Sequence, residues 1–499
     1  MQIPVRVAGV VFYSLDHFGL RIIFRVMKET NSGVKSDPLT DEAQLNEKSL
    51  GYSILDGLFA SVMVGFGDSY LPAFAVYLQA SAQQMGMLAS LPQFAAALVQ
   101  LFSVRISRLF HSPKRAVLLF VLFQACMWLF ITFISYLTRS VWILILLVML
   151  YQSFGALPGP IWFAWMGNLV PADQRGRYFG WRNRISGFFT FLSVVSAGLM
   201  LHQVSKTQPL AAFGLLFLVA FGARMVSLYF LVRQHEPPTP RTHKIVVRLS
   251  DFLKSLRSDN FGMFALFSAL MNFAVFIASP LMSLYWLRFL HFSYLQYMSV
   301  VSTASISSFI TMTFWGQHAD HYGNKTILEA SGVIIAGLPL LWYFLRFLSP
   351  VYHFPLSIMI QAMAGFSWAG FNLSSSNFIY DTIRPSNRTQ MVAYFNFLKG
   401  IAIFLGGLLG GTLASTGTAA TPIAFLAPKG IMLVLLLSTA GRFCVLLLFL
   451  PRILEVRASI KPRPHFLYFV TVMPFKGLVY ELVTGVNRTL NRSRKKIKN

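Results

Sequence analysis

Asp68 lies in "VGFGDSYLPAF" (Val64–Phe74), a carboxyl group within a long apolar run, with Gly65, Gly67 and Pro72 beside it. An ionised group at the centre of a bilayer costs roughly 2.5–3.5 kcal/mol on insertion scales, so such groups are retained where they act. Glycine and proline interrupt a helix and free backbone groups, which is tolerated at membrane depth where they line a cavity. Two readings stand for Asp68. Either it carries a coupling proton or holds a cationic solute, or it is a helix-end acid meeting outer water, since it lies some sixteen residues into its run. Lys399, about ten residues into a later apolar run, either attracts an anionic group or extends its long stem to the interface. Gln93, Trp162, Trp165, Asn272, Trp368 and Asn372 add amide and indole groups of the kind that line organic-ligand cavities. The same residue types also serve as interface anchors and helix bridges.

Other chemistries find no support. Cys126 and Cys444 lie far apart inside apolar runs and read as packing residues. No zinc-type Cys/His spacing, no phosphate-cradling glycine loop with its lysine and no serine-nucleophile elbow occurs, so neither a metal, a cofactor nor an enzyme is expected. A net charge of +25 would suit nucleic acid on a soluble fold, but these basic residues alternate with apolar segments, and no nucleic acid is expected.

The elements that must position these groups follow from composition. Of 499 residues, 55% are hydrophobic and 12% charged, against about 25% charged in soluble domains. A bilayer core about 30 Å thick needs roughly 20 apolar residues per helix. Twelve such stretches begin near residues 52, 84, 116, 141, 183, 208, 261, 293, 327, 353, 390 and 428. The expectation is an all-α membrane protein with twelve transmembrane helices in two six-helix bundles. The parts are a cytoplasmic N-terminal segment (1–51), a first bundle (52–232), a polar, Pro-rich linker (233–260), a second bundle (261–452) and a basic tail (453–499). With the N-terminus inside, the inner segments hold 34 Lys and Arg and the outer loops five. This positive-inside bias places both termini in the cytoplasm.

The two halves resemble each other. Sliding the second back by about 213 residues sets Arg175 on Arg388, Asn183 on Asn396 and Gly187 on Gly400. "ARMVSLYFLVR" (Ala223–Arg233) meets "GRFCVLLLFLPR" (Gly441–Arg452), pairing Arg224 with Arg442 and Arg233 with Arg452. "HSPKR" (His111–Arg115) meets "HYGNK" (His321–Lys325). Arg224 and Arg442 are expected to share a structural role, and Asp56 is expected at the inner interface.

"GQHADHYGNK" (Gly316–Lys325) resembles the signature loop of the major facilitator superfamily of secondary transporters, and "VPADQRGRYFG" (Val170–Gly180) resembles that family's helix 4–5 loop. The resemblance covers about residues 52–452. It implies two bundles around a central pathway, rocking between inward- and outward-open states, in a monomer of a bacterial inner membrane. It further implies a cytoplasmic gate at Gly316, Asp320, Gly323, Lys325, Arg175, Arg177 and Arg388. The alternative for these residues is a set of static helix-end contacts and topology markers. The first-half counterpart departs from the signature, with Ile106 and Phe110 where Gly and Asp would align.

Residues 1–28 read as an amphipathic helix on the inner surface, and His465–Val483 with the following "NRSRKKIKN" as an interfacial segment and basic cluster that hold anionic lipid. The expected function is secondary active transport of a small organic solute by alternating access, with a proton as candidate coupling ion. The alternative is a non-transporting assembly or sensor protein on the same fold.

Overall fold

The computed structural model describes residues 6–7, 10–11, 38–102, 106, 110, 112–170, 175–205, 208–236, 249–383, 388–415 and 430–456. The C-terminal interfacial segment and basic cluster lie outside the described residues, as do residues 237–248 of the linker. Of the N-terminal amphipathic segment only β1 (Arg6–Val7) and β2 (Val10–Val11) are described, and these pair antiparallel.

The remainder is helical: α1 (Pro38–Phe66), α2 (Leu71–Tyr77), α3 (Ala82–Gln100), α4 (Pro113–Thr138), α5 (Val141–Ala156), α6 (Pro158–Leu169), α7 (Arg175–Val204) and α8 (Pro209–Arg233). A short α9 (Leu249–Ser258) precedes α10 (Asn260–Ala278), α11 (Tyr294–Tyr322), α12 (Asn324–Leu345), α13 (Pro350–Thr382), α14 (Arg388–Ser415) and α15 (Gly430–Phe449). Among the described residues ten spans are long and apolar enough to cross a membrane, or eleven if the bent α11 counts as one. The nineteen-residue α3 forms near the place expected from residue 84 but is not among them. It carries Gln83, Gln84, Gln93 and Gln100, which dilute its apolar character. Large apolar side chains face outward, with Leu137 81% and Leu447 73% exposed. In water such exposure would be unfavourable; in lipid it is the required surface.

Helix starts are written in the sequence. Ser81 accepts the Gln84 N–H at 3.2 Å while the Gln84 side chain accepts the Ser81 N–H at 2.9 Å. Ser293 and Gln296 repeat this reciprocal cap on α11 with the same two distances, 212 positions later. Helix breaks repeat as well. Between α1 and α2 the chain tightens into a 3₁₀ turn at Asp68–Tyr70, and α10 ends in a 3₁₀ turn at Ser279–Leu281 around Pro280.

The chain divides into two compact units. The first comprises residues 1–70, 102–138 and 150–242; the second comprises 71–101, 139–149 and 243–499. In the first, Leu50, Ile54, Val117, Ile161, Trp165 and Tyr178 pack together. In the second, a phenylalanine core joins Phe264, Phe267, Phe371, Phe378 and Phe395, with the Phe264 and Phe378 rings 4.6 Å apart. Lipid supplies little hydrophobic drive between helices, so close packing of small residues matters more. In "GGLLGG" (Gly406–Gly411), Gly406 and Gly410 of α14 lie against the carbonyls of Phe273 and Ile277 of α10, and Gly407 lies against α3 at Ser90 and Gly86. Also within the second unit, Arg288 donates to the carbonyls of Val76 at 3.0 Å and Ala80 at 2.9 Å, capping the end of α2.

Candidate functional site

In the first unit the break after α1 places Asp68 beside α5. The buried Tyr151 hydroxyl donates to Asp68 Oδ2 at 3.1 Å. Asp68 Oδ1 is buried with no hydrogen-bond partner among the described residues. Aromatic rings enclose this contact: Trp128 lies 4.7 Å from Tyr151 and 5.5 Å from Phe217, ring centre to ring centre. A carboxyl with one donor and one vacant oxygen has unfilled hydrogen-bonding capacity, a property suited to a proton or a solute donor.

A second polar chain runs through the same unit. Arg224 donates to Gln124 Oε1 through Nε at 3.0 Å and Nη2 at 2.7 Å, and through Nη1 to Ser227 Oγ at 3.0 Å. Ser227 donates to Asp56 Oδ1 at 2.6 Å. Asp56 Oδ2 in turn pairs with Arg182 Nη2 at 3.4 Å. Arg182 also donates to the Ser53 carbonyl at 3.1 Å and lies 4.6 Å over the Trp162 ring. Asp56 is buried, at 4% exposure, and Arg182 and Ser227 supply the partners its burial demands. Arg182, in the arginine-rich first turns of α7, turns inward within the first unit to meet Asp56. Gln124, Tyr151 and Ser227 carry only a weak signal in the sequence: Gln124 is a lone amide in an apolar run, Tyr151 heads a Tyr-Gln-Ser triplet, and Ser227 follows Arg224 by three residues.

Of the other expected pathway residues, Trp165 is buried and donates through Nε1 to the His235 carbonyl at 3.0 Å. Trp162 Nε1 is buried without a partner among the described residues. In the second unit, Asn272 donates to Ser268 of its own helix at 2.8 Å, and Gln93 to Ala89 of its own at 3.1 Å. Trp368 meets Phe371 edge-on at 5.6 Å, and Asn372 is exposed. Lys399 is half-buried in α14. Arg442, the counterpart of Arg224, donates to the carbonyls of Ile335 at 2.7 Å and Val275 at 3.4 Å. No group of three or more His, Cys, Asp or Glu residues able to hold a metal ion occurs among the described residues.

At the signature loop, Gly323 ends α11 with φ +86°, a left-handed conformation that favours glycine. A Cβ there would also strike the Glu455 carboxylate. Glu455 accepts the Lys325 N–H at 2.6 Å at the start of α12, while Lys325 Nζ reaches the Pro451 carbonyl at 3.4 Å. The first unit builds the same contact. Glu236 accepts the Lys114 N–H at 3.2 Å and the Ser112 hydroxyl at 2.5 Å, and Lys114 Nζ donates to the Gln234 carbonyl at 2.7 Å. A carboxylate at a helix N-terminus satisfies free N–H groups and meets the positive end of the dipole. Gly316 is half-buried and Asp320 exposed in the last two turns of α11. Arg175 and Arg388 begin α7 and α14, with Arg177 in the first turn of α7; these three side chains lie outside the described residues.

Ten or eleven helices long and apolar enough to cross a membrane, among the described residues, define a polytopic membrane protein. The comparisons agree. The Major Facilitator Superfamily model matches residues 57–372 and 264–476. A POT family peptide transporter superposes with a TM-score of 0.63 at 11% identity, covering 85% of this chain and 100% of that one. The nucleoside transporter NupG gives 0.58 at 15% identity, covering 82% and 98%. A bacterial homologue of the iron transporter ferroportin gives 0.58 at 15%, covering 83% and 99%. No curated protein matches the chain. The chain belongs to the Major Facilitator Superfamily: it is an all-α, multi-pass membrane transporter of small molecules and not an enzyme.

Proposed function

We propose that this protein moves a small organic solute across the membrane by alternating access, driven by a proton that Asp68 binds and releases. The observation that carries this reading is the Asp68 carboxyl itself. It sits at a helix break, holds one donor from Tyr151 and leaves Oδ1 buried and unpartnered. Protonation lets that carboxyl shed its charge within the membrane, which lowers the cost of moving its helix between two environments. Arg224 and Asp56 lie in a single connected network of the same unit, so a change at one end is felt as a change in hydrogen bonding along it.

The gate proposed at Gly316, Asp320, Gly323, Lys325, Arg175, Arg177 and Arg388 gains two members, Glu236 and Glu455. Their carboxylates hold helix starts next to the loops that must part when the halves move. Both termini are cytoplasmic in this reading, and the location is a bacterial inner membrane. Nucleoside, peptide and iron transporters share the fold, so the fold alone does not select the solute.

The test is a solute screen on purified protein in vesicles, read by counterflow, which needs no driving force. Uptake of a labelled small solute that an excess of the same unlabelled solute accelerates supports the reading. Counterflow absent for every solute class tried would count against transport and favour the assembly or sensor role.

A further inference from the structure

Among the described residues, each buried or part-buried cation deep in the helices has a protein partner except one. Arg182 pairs with Asp56, Arg224 with Gln124 and Ser227, and Arg442 with two backbone carbonyls. No hydrogen bond or ion pair among the described residues engages Lys399. It stands eleven residues into α14, about 16 Å along the helix at 1.5 Å per residue. A lysine stem spans part of that distance but not all of it. A half-buried ammonium with no counter-charge is an unfavourable arrangement that a ligand of opposite charge would relieve.

The helix pair around Lys399 mixes amides with aromatic packing, Phe94 of α3 stacking on Phe397 at 6.5 Å and Phe404 at 5.4 Å. Gly400, next to Lys399, packs against α3 at Ala97, Phe94 and the Gln93 carbonyl. One turn earlier, Asn396 Nδ2 donates to Gln100 Oε1 at 3.3 Å. Gln93 at the same level is exposed, although it lies mid-helix. Gln93 and Gln100 belong to α3, which is not among the spans long and apolar enough to cross a membrane. Charge tells the same story across the second unit. The acids in its spans, Asp320, Glu329 and Asp381, all lie within two turns of a helix end, whereas Lys399 lies eleven residues into α14. The first unit differs, because there Asp56 and Asp68 offset Arg182 and Arg224.

We propose that Lys399, with the amides of Gln93, Gln100 and Asn396, receives the acidic group of the transported solute, so that the substrate is an organic anion bearing a carboxylate or phosphate. This rests on the transport reading above and adds the substrate class to it. The ammonium supplies the charge and the amides supply neutral donors, a set that binds a carboxylate or phosphate oxygen without neutralising it.

The experiment uses the full chain in phosphatidylcholine vesicles, whose headgroups carry no net charge, so that any anion recognised is the solute. Probes come in matched pairs: benzoate and benzamide, uridine 5′-monophosphate and uridine, glycerol 3-phosphate and glycerol. Uptake and the ligand-induced rise in unfolding temperature are read for the wild type, Lys399→Gln and Lys399→Arg. The expected result is that at least one acid engages the wild type and its neutral partner does so at least tenfold more weakly. Lys399→Gln then loses at least tenfold in apparent affinity for the acid, and Lys399→Arg keeps most of it. Three results overturn the proposal: neutral partners engage as well as acids, acids engage Lys399→Gln as well as the wild type, or no acid engages the wild type. Uptake of a neutral probe with Lys399→Gln unaffected leaves transport standing and removes only the anion assignment; no uptake of any probe removes both.

Discussion

Glu455 accepts the backbone N–H of Lys325 at 2.6 Å, closing the end of one chain segment onto the start of a helix some 130 residues earlier. Glu236 does the same for Lys114 at 3.2 Å. The two glutamates stand 219 positions apart, the spacing that also relates Arg233 to Arg452. A duplicated contact of this kind is expected where both halves must hold the same helix end during the same movement.

Removing either carboxylate costs a cap. Loss of a helix cap typically destabilises by about 1 kcal/mol. Glu455→Ala and Glu236→Ala are each expected to lower the unfolding temperature of the detergent-solubilised protein. The double variant should show close to the sum, since the two contacts share no partner. Glu455→Gln, which keeps an acceptor oxygen, should lose less than Glu455→Ala.

Asp56 carries a larger structural load. It is buried, and it is the carboxylate that Arg182 and Ser227 engage. Breaking a buried pair by removing one partner costs about 3 kcal/mol or more. Asp56→Ala is therefore expected to reduce thermal stability more than Asp68→Asn does. The unfolding midpoints of the two variants, measured side by side, check this ordering.

Tyr151 holds the carboxyl for which coupling is proposed. Tyr151→Phe removes the one donor described for Asp68 and keeps the ring that packs against Trp128. A hydrogen bond to a charged group contributes about 1.5 kcal/mol. Initial uptake rates should fall by roughly tenfold, and the unfolding temperature should fall with the loss of this buried hydrogen bond. A variant that transports at the wild-type rate would remove Tyr151 from the account.

Orientation has its own test. With Cys126 and Cys444 replaced by alanine, single cysteines at Ser250 and Ser349 should react from opposite sides of sealed cells. The exposed Ser250 of the linker is expected to resist an impermeant maleimide, whereas the exposed Ser349 between α12 and α13 should label. The reverse pattern would invert the topology.

Much of the fold is legible in the chain because a bilayer imposes one dominant rule. Val141 and Pro209 begin α5 and α8 within a residue of where apolar runs place them. Gly65, Gly67 and Pro72 forecast the break at Asp68, since these residues disrupt a helix locally. The expectation of twelve spans strained at α3, whose glutamines resist a purely apolar reading. The site was less legible because its contacts join distant segments. Arg182 sits in an arginine-rich stretch and looks solvated until Asp56, 126 positions earlier, is seen to meet it. Glu236 and Glu455 follow apolar spans as ordinary polar residues, although the Arg233–Arg452 alignment carried three positions further would have paired them. Gln124 and Ser227 become meaningful only through Arg224, which one sequence cannot connect to them.

The most direct measurement of the central claim is solute accumulation in vesicles under an imposed pH gradient, comparing the wild type with Asp68→Asn. Wild-type protein should concentrate its solute above equilibrium and lose that accumulation when a protonophore collapses the gradient. Asp68→Asn should still exchange solute across the membrane but no longer concentrate it. Accumulation by Asp68→Asn to the wild-type level would contradict the account.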